Sequence, residues 1–159
     1  MSLDPDTFRA VLGRFASGIT VVTARDEAGR DCGMTVSAFA SLSLEPPLVL
    51  ACIDRQAAMH EMLLEAETFA VNILSSGQEP LSRRFADPDS HGRFDGVGFR
   101  RGRTGAALLE DALAHLECRT VQRVDGGDHT IVIGEVERAW ASEGRPLLYY
   151  RSGYAQLER

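Results

Sequence analysis

The C-terminal half of the chain contains two long segments with the pattern of β-strands, separated by a short turn. The segments cover residues 114–124 and 130–139, and Asp125-Gly126-Gly127-Asp128 lies between them. Aspartate and glycine supply the backbone angles that a tight hairpin turn requires. Strands joined this way pair antiparallel, because a parallel pair needs a crossover of roughly a dozen or more residues. The sequence therefore predicts an antiparallel sheet.

Shorter strand patterns occupy much of the remaining chain. They cover residues 19–24, a long extended segment 33–44 that ends before Pro46-Pro47, residues 48–53, residues 68–74 and a last strand 147–151. The turn Asp26-Glu27-Ala28-Gly29 is typical of a second hairpin. Because the strands outnumber the helices and are joined by turns rather than by regular helical crossovers, we expect an antiparallel barrel and not a doubly wound parallel sheet.

Three segments have helical patterns, at residues 5–16, 57–66 and 78–86. Asp4-Pro5 has the residue types of an N-cap and a first helical position, and Gly18 is a candidate stop. These helices would pack outside the barrel or cap one end. Residues 87–103 form a polar, glycine-bearing excursion. No linker or repeat divides the chain, and its 159 residues predict a single domain spanning residues 1–159.

The charge composition excludes several classes of function. The chain has 23 acidic and 17 basic residues, for a net charge of −6, and every basic residue is arginine. An acidic chain does not favour non-specific nucleic-acid binding, which normally uses a basic face. Without lysine there is no Schiff-base or Walker A mechanism. Any bound anion must be held by arginine, hydroxyl groups or backbone N–H groups.

The location and the cysteines are the next constraints. We expect a cytoplasmic protein, because the N-terminal residues show no signal peptide and no apolar run approaches the roughly 18 residues of a membrane span. Cys32, Cys52 and Cys118 are far apart, each in an apolar run and without a CxxC motif. They are therefore interpreted as buried thiols in a reducing compartment, and no metal site is predicted.

The segment GMTVSAFASLSLEPP, residues 33–47, is the most informative for function. In a single strand, side chains alternate between the two faces. One face would carry Thr35, Ser37, Phe39, Ser41 and Ser43, and the opposite face Met34, Val36, Ala38, Leu42 and Leu44. Small hydroxyl side chains let a flat ligand approach the backbone and donate hydrogen bonds without adding charge. A strand chosen only for β-propensity is the alternative.

This segment, with the ASLSLEPPLVLACID that overlaps and follows it, resembles the flavin-binding core of the flavin reductase-like family. These proteins are the small FMN- or FAD-dependent NAD(P)H reductases of two-component monooxygenases. Further elements match in order: SGITVVTA, FAVNIL, LSRRFA, a later RF, GDHTIVIGEV and PLLYYRSGYAQL. The resemblance runs from about Phe8 to Leu157, which is nearly the whole chain.

The resemblance implies a fold and an activity. The fold is a homodimeric, FMN-binding split β-barrel, a Greek-key-like antiparallel barrel, with the flavin near the subunit interface. The activity is hydride transfer from C4 of NADH or NADPH to N5 of FMN or FAD, which supplies reduced flavin by diffusion to a partner monooxygenase. The alternatives are a pyridoxamine-phosphate-oxidase-like enzyme that keeps its flavin, and a flavin-binding carrier or sensor without enzymatic activity.

The resemblance also implies a set of binding residues. The flavin contacts are Thr35, Val36, Ser37, Ala38, Ser41, Leu42, Ser43, Cys52, Ile53, Asp54, Arg55, Ala57 and Ala58, with Arg84 and Phe85 beside the flavin or its phosphate. The nicotinamide nucleotide is received at His129, Arg151 and Tyr154, and His129 is the catalytic candidate because it positions the nicotinamide.

Each charged candidate has a structural alternative. For Arg55 the alternative is a capping or solvated position in a turn, for Arg84 the solvent-exposed face of a helix, and for His129 a ring that is only fixed in place by Asp128. The chain departs from many family members in having Ala106-Ala107 after Gly105, where they carry a proline. Because no Rossmann GxGxxG motif is present, the dinucleotide is expected to bind by stacking on the flavin.

Overall fold

The structure, a computed structural model, describes residues 2–89 and 91–158. The helices in this part of the chain are α1 (Pro5–Leu12), α2 (His60–Glu65) and α3 (Glu79–Ala86), the last preceded by a 3₁₀ turn at Ser76–Gln78. The strands are β1 (Ser17–Gly18), β2 (Thr20–Arg25), β3 (Asp31–Val36), β4 (Phe39–Ser43), β5 (Leu48–Asp54), β6 (Thr68–Ile73), β7 (Phe99–Arg101), β8 (Ala107–Leu109), β9 (Ala114–Gly126), β10 (His129–Ala141), β11 (Leu147–Tyr150) and β12 (Gly153–Gln156).

Seven of these strands form one antiparallel sheet in the order β3-β2-β6-β9-β10-β5-β4. β9 and β10 are its longest members and are joined through Gly127 and Asp128, as the turn sequence predicts. Smaller sheets are formed by β1-β11-β12 and by β7-β8. The mainly β, antiparallel class is thus confirmed. β3 and β4 are the two edges of the large sheet and do not pair with each other.

The inner face of the large sheet carries the main hydrophobic core. Along β5 and β10, buried residues alternate with half-buried ones, so alternate side chains point inward. Phe69 of β6 and Leu63 of α2 lie in this core. Gly134 gives the ring of Phe69 its space, because a Cβ at residue 134 would lie 2.5 Å from the Phe69 Cζ. None of the helices among the described residues is long and apolar enough to cross a membrane.

The prediction of one continuous strand over residues 33–44 was wrong. The chain leaves the sheet after Val36 and re-enters it at Phe39, so β3 pairs with β2 and β4 pairs with β5 at the opposite edge. Ser37 and Ala38 form the link between them, and both are exposed. The link is tight because the Phe39 N–H donates to the Ser37 carbonyl. The expected two-faced alternation is lost, since each strand has its own register.

Three smaller expectations also changed. α1 ends at Leu12 and is capped by Gly13, whose N–H donates to the Arg9 carbonyl, while Gly18 lies in β1. α2 begins at His60 and not at residue 57. The chain continues past β11 into β12, a hairpin that the sequence did not indicate. Its turn consists of Arg151 and Ser152, which adopt positive φ angles without a glycine.

Candidate functional site

A groove of about 540 Å³ opens on the outer surface where α1, the Ser37-Ala38 link, β4, β5 and the β11–β12 turn meet. Its volume lies within the range of roughly 300–1,000 Å³ that is usual for small-molecule sites. The lining is mainly apolar, with Phe8, Leu12, Phe15, Phe39, Ala40, Leu50 and Tyr149 beside the polar groups of Ser37, Cys52, Arg151 and Ser152. This combination suits a flat, largely apolar ligand with a polar edge.

The groove lies where the backbone of the sheet is incompletely paired. β3 and β4 are edge strands, and edge strands leave a row of N–H and C=O groups without partners. The pairing of β4 with β5 ends at Phe39 and Ala51, and the Cys52 N–H donates to the Ala38 carbonyl at 2.9 Å. Beyond that bond, β5 has no strand partner on this side among the described residues. Backbone donors and acceptors are therefore present at the groove.

His129 is the first residue of β10 and lies directly opposite Asp54 of β5. It is diagonal to the groove residue Cys52, which places the two Cα atoms about 7–8 Å apart. The Nδ1–H of His129 donates to Asp128 Oδ1 at 2.7 Å, and this hydrogen bond lowers the pKa of the Asp128 carboxyl. The ring is 39% exposed, and its Nε2 has no hydrogen-bond partner among the described residues. The Nε2 side is thus available to a ligand.

The predicted flavin residues fall into two groups. Ser37, Ala38 and Cys52 line the groove, and Ser41, Leu42 and Ser43 continue from it along β4. In contrast, the side chains of Val36, Ile53 and Phe85 are buried in the core. These three residues can meet a ligand only through their backbone.

Several other predicted residues use their polar groups within the protein. The Thr35 hydroxyl donates to the Ser82 carbonyl at 2.7 Å, and the Tyr154 hydroxyl lies 2.9 Å from Ser82 Oγ. The Arg84 guanidinium donates to the carbonyls of Gly92 and Asp95. These contacts join α3 to β3, to β12 and to the loop after α3. The polar groups of these residues are therefore engaged in contacts within the protein.

Of the nicotinamide residues, Arg151 lies in the groove, His129 lies beside it, and Tyr154 packs against Tyr149. Ala58 is found outside the groove and lines a separate pocket with Met59. Asp54 is the last residue of β5, and Arg55 and Ala57 belong to the turn that follows, where the Ala57 N–H donates to the Asp54 carbonyl. The structure therefore brings Ser37, Ala38, Cys52 and Arg151 together at the groove, whereas Ala58, Arg84 and Phe85 lie outside its lining.

The contribution of α1 to the site was missed. The sequence pattern places Phe8, Val11, Leu12 and Phe15 on one side of the helix, which suggests a packed face. In the structure, α1 buries no residue, and Phe8 and Phe15 remain 53% and 79% exposed. Three of these four side chains line the groove instead. The amphipathic pattern was the available signal, but it does not say what the apolar side faces.

The comparisons with known proteins identify the family to which this chain belongs. Residues 12–158 match the family described as the flavin reductase like domain, and the chain belongs to this family. It is 43% identical over 166 residues to an NADH-dependent flavin reductase of a Rhodococcus species, covering 98% of this chain and 90% of that protein. It is 40% identical over 162 residues to the reductase subunit HsaB of a flavin-dependent monooxygenase of Mycobacterium tuberculosis, covering 98% of this chain and 84% of the subunit.

Among solved structures, the chain is similar to an NADH:FAD oxidoreductase of Streptomyces globisporus C-1027 in complex with NAD and FAD fragments. The TM-score is 0.91 and the sequence identity 40%, and the match covers 99% of this chain and 96% of that one. The fold and most of the length of this chain are thus shared with a protein that binds fragments of both nucleotides.

Proposed function

We propose that this chain is an NADH-dependent flavin reductase that transfers a hydride to FAD or FMN and supplies the reduced flavin to a monooxygenase. The observation that carries the proposal is the position of His129 beside an apolar groove whose rim offers the backbone N–H groups of Ser37 and Ala38, neither of which has a backbone partner among the described residues. The relatives named above, an NADH-dependent flavin reductase and a monooxygenase reductase subunit, support the same assignment.

The bound flavin supplies the hydride acceptor at N5, and the protein supplies binding and orientation. Apolar side chains of the groove hold the ring and exclude water. The Ser37 hydroxyl and the neighbouring backbone donate to the polar edge of the ring. His129 contacts the nicotinamide through Nε2, and Arg151 faces the phosphates of the dinucleotide. Because no protein nucleophile or base is needed, the absence of lysine from the chain is no obstacle.

We propose that the fold is a split β-barrel. Its two edge strands, β3 and β4, are joined by only two residues, which requires the sheet to curl until its edges face each other. The opening between those edges is the split, and the groove lies there. The flavin contacts implied for residues 35–38 and 52–54 then lie on opposite sides of the split.

We also propose a homodimer. The outer face of an exposed antiparallel sheet is normally polar, but the outward positions of β5 and β10 include Leu50, Ile131 and Ile133. These residues are half-buried and lie on the same side of the sheet as the groove residue Cys52. Together with the uncovered α1 they form a contiguous apolar surface, which a second copy of the chain would bury. The flavin would lie near that interface.

Steady-state oxidation of NADH and NADPH, measured with no flavin and with added FMN or FAD, tests the function. We expect NADH to be consumed only when free flavin is added. A protein that retains its flavin through purification and oxidises neither nicotinamide would instead be a flavin-binding carrier. A protein that retains flavin and oxidises a different substrate would be the oxidase alternative.

A further inference from the structure

We propose that Arg55 is a positioning residue for His129: it fastens the β9–β10 turn to the end of β5 and so fixes the imidazole relative to the groove. The inference rests on the proposed function of His129. It assigns Arg55 a different role from the flavin contact that the family resemblance implies. The evidence is the set of partners that Arg55 has in the structure.

Arg55 makes three hydrogen bonds to the β9–β10 turn. Its Nε–H donates to the Gly127 carbonyl at 3.1 Å, and its Nη2 donates to Asp125 Oδ1 at 2.7 Å. Its backbone N–H donates to the Asp128 carbonyl at 3.0 Å. The guanidinium therefore holds the start of the turn and its glycine, while the main chain holds the residue that precedes His129.

Apart from Arg55, the turn is supported by the pairing of Asp125 with Thr130 and of Gly126 with His129. Residues 125–128 are all exposed, and Gly127 adopts a positive φ of 70°. The turn carries Asp128, whose carboxylate accepts the Nδ1–H of His129. A shift of the turn consequently moves both the backbone of His129 and the partner that orients its ring. Arg55 connects this assembly to β5, whose residue Cys52 lines the groove three positions earlier in the chain.

The charges around Arg55 favour the same role. Asp54, Asp125 and Asp128 are all exposed acidic residues at this end of β5 and β10, where an anionic dinucleotide would approach. The ion pair with Asp125 uses much of the charge that a flavin phosphate would otherwise meet. Since the Arg55 side chain is 41% exposed and Asp125 91%, the pair adds little to stability. Its effect is expected in the geometry of the site.

The two roles of Arg55 differ in what they change. If Arg55 binds the flavin phosphate, its removal raises the KM for flavin. If Arg55 positions His129, its removal lowers kcat/KM for NADH and leaves the KM for flavin nearly unchanged. Asp125 separates the roles most clearly, because its carboxylate would repel a phosphate and cannot bind one, yet it holds Arg55 against the turn.

The experiment compares Arg55→Met, Arg55→Lys and Asp125→Asn with the wild type by steady-state kinetics in both substrates. We expect Arg55→Met to lower kcat/KM for NADH about tenfold, short of the roughly 10²-fold that a 1 Å misplacement costs. The flavin KM should stay within about twofold. Asp125→Asn should act in the same direction, and Arg55→Lys should restore part of the loss, because an ammonium can replace one of the two side-chain hydrogen bonds.

Glu135→Gln is the matched control. It breaks an ion pair between β9 and β10, Arg119 Nη2 to Glu135 Oε2 at 2.6 Å, away from the turn. It should leave both KM values unchanged. A raised flavin KM in Arg55→Met with unchanged NADH kinetics in Asp125→Asn overturns the positioning role, as do variants that all match the wild type. A wild type that oxidises no NADH with any flavin overturns the proposed function and this inference together.

Discussion

Val36 and Phe39 are three residues apart in sequence but belong to opposite edges of the seven-stranded sheet. Three Cα–Cα steps span at most about 11 Å, whereas the edges of a flat sheet with seven strands would be about 28 Å apart. The sheet must therefore curl until β3 and β4 face each other. The two residues that bridge the edges, Ser37 and Ala38, are exposed at the resulting opening. This places a hydroxyl group and two edge strands at the groove.

Replacement of Ser37 by alanine tests whether the Ser37-Ala38 link contacts the flavin. Loss of one neutral hydrogen bond costs about 1 kcal/mol, which corresponds to a roughly fivefold higher Kd. We expect the flavin KM of Ser37→Ala to rise by about that factor while the thermal unfolding temperature stays unchanged. Flavin titration and steady-state kinetics measure this. Ser142→Ala, another exposed serine at the far end of the sheet, is the control. Equal flavin affinity in both variants would remove the Ser37 hydroxyl from the site.

The sequence was sufficient to predict two of the hairpins, because their turns carry aspartate and glycine. Both Asp26–Gly29 and residues 125–128 connect paired strands in the structure. The break at Ser37-Ala38 has no such signal, because the link needs neither glycine nor a positive φ. Its cause is a tertiary effect: each half of the segment pairs with a different neighbour.

The sequence predicted part of the groove lining, but not which side chains are turned away from it or which partners they have. The resemblance placed Val36, Ile53 and Phe85 at the flavin, and only the strand registers and helix packing show that their side chains point into the core. Arg55 is similar, since its partners Asp125 and Gly127 are about 70 residues away in sequence. Long-range pairings of this kind have no local signature.

The uncovered apolar side of α1 makes a prediction about assembly. Phe15 follows α1 and is 79% exposed in a single chain. A charged side chain at this position would be buried in the dimer without an oppositely charged partner. We expect Phe15→Glu to shift the protein from dimer to monomer in sedimentation velocity experiments and to lower reductase activity. Ala139→Glu, on an exposed position of β10, should leave the sedimentation coefficient unchanged. A wild type that sediments as a monomer at all concentrations would contradict the proposed dimer.

The contact between Gly134 and Phe69 makes a prediction about stability. A Cβ at residue 134 would lie 2.5 Å from the Phe69 Cζ and 3.0 Å from the Cys118 Cβ, so the packed core would have to shift. Overpacking of this kind costs about 1–3 kcal/mol. Gly134→Ala should lower the free energy of unfolding by that amount in urea denaturation. Gly77→Ala, where no atom lies within 4 Å, should change it by less than about 0.5 kcal/mol. Equal effects of the two substitutions would contradict the close packing.

The three thiols should differ in reactivity in a way that also tests the groove. Burial raises the pKa of Cys32 and of Cys118 to about 12. At pH 8 each of these thiols is therefore ionised in only about one molecule in 10⁴. Cys52 lines the groove, and burial raises its pKa by less than for the other two thiols. Because the thiolate is the reactive form and its fraction grows until pH exceeds the pKa, labelling of Cys52 should accelerate nearly tenfold from pH 7 to pH 8.

We expect N-ethylmaleimide to modify Cys52 first, and added FMN or FAD to slow that reaction. Peptide mapping by mass spectrometry identifies the modified thiol, and the protein unfolded in urea, in which all three cysteines should react, is the control. Comparable modification of Cys118 in the folded protein would contradict its burial on the inner face of the sheet. If saturating flavin leaves the Cys52 rate unchanged, the flavin does not cover the groove between α1 and β5, because a ring bound there would shield the half-buried thiol from the reagent.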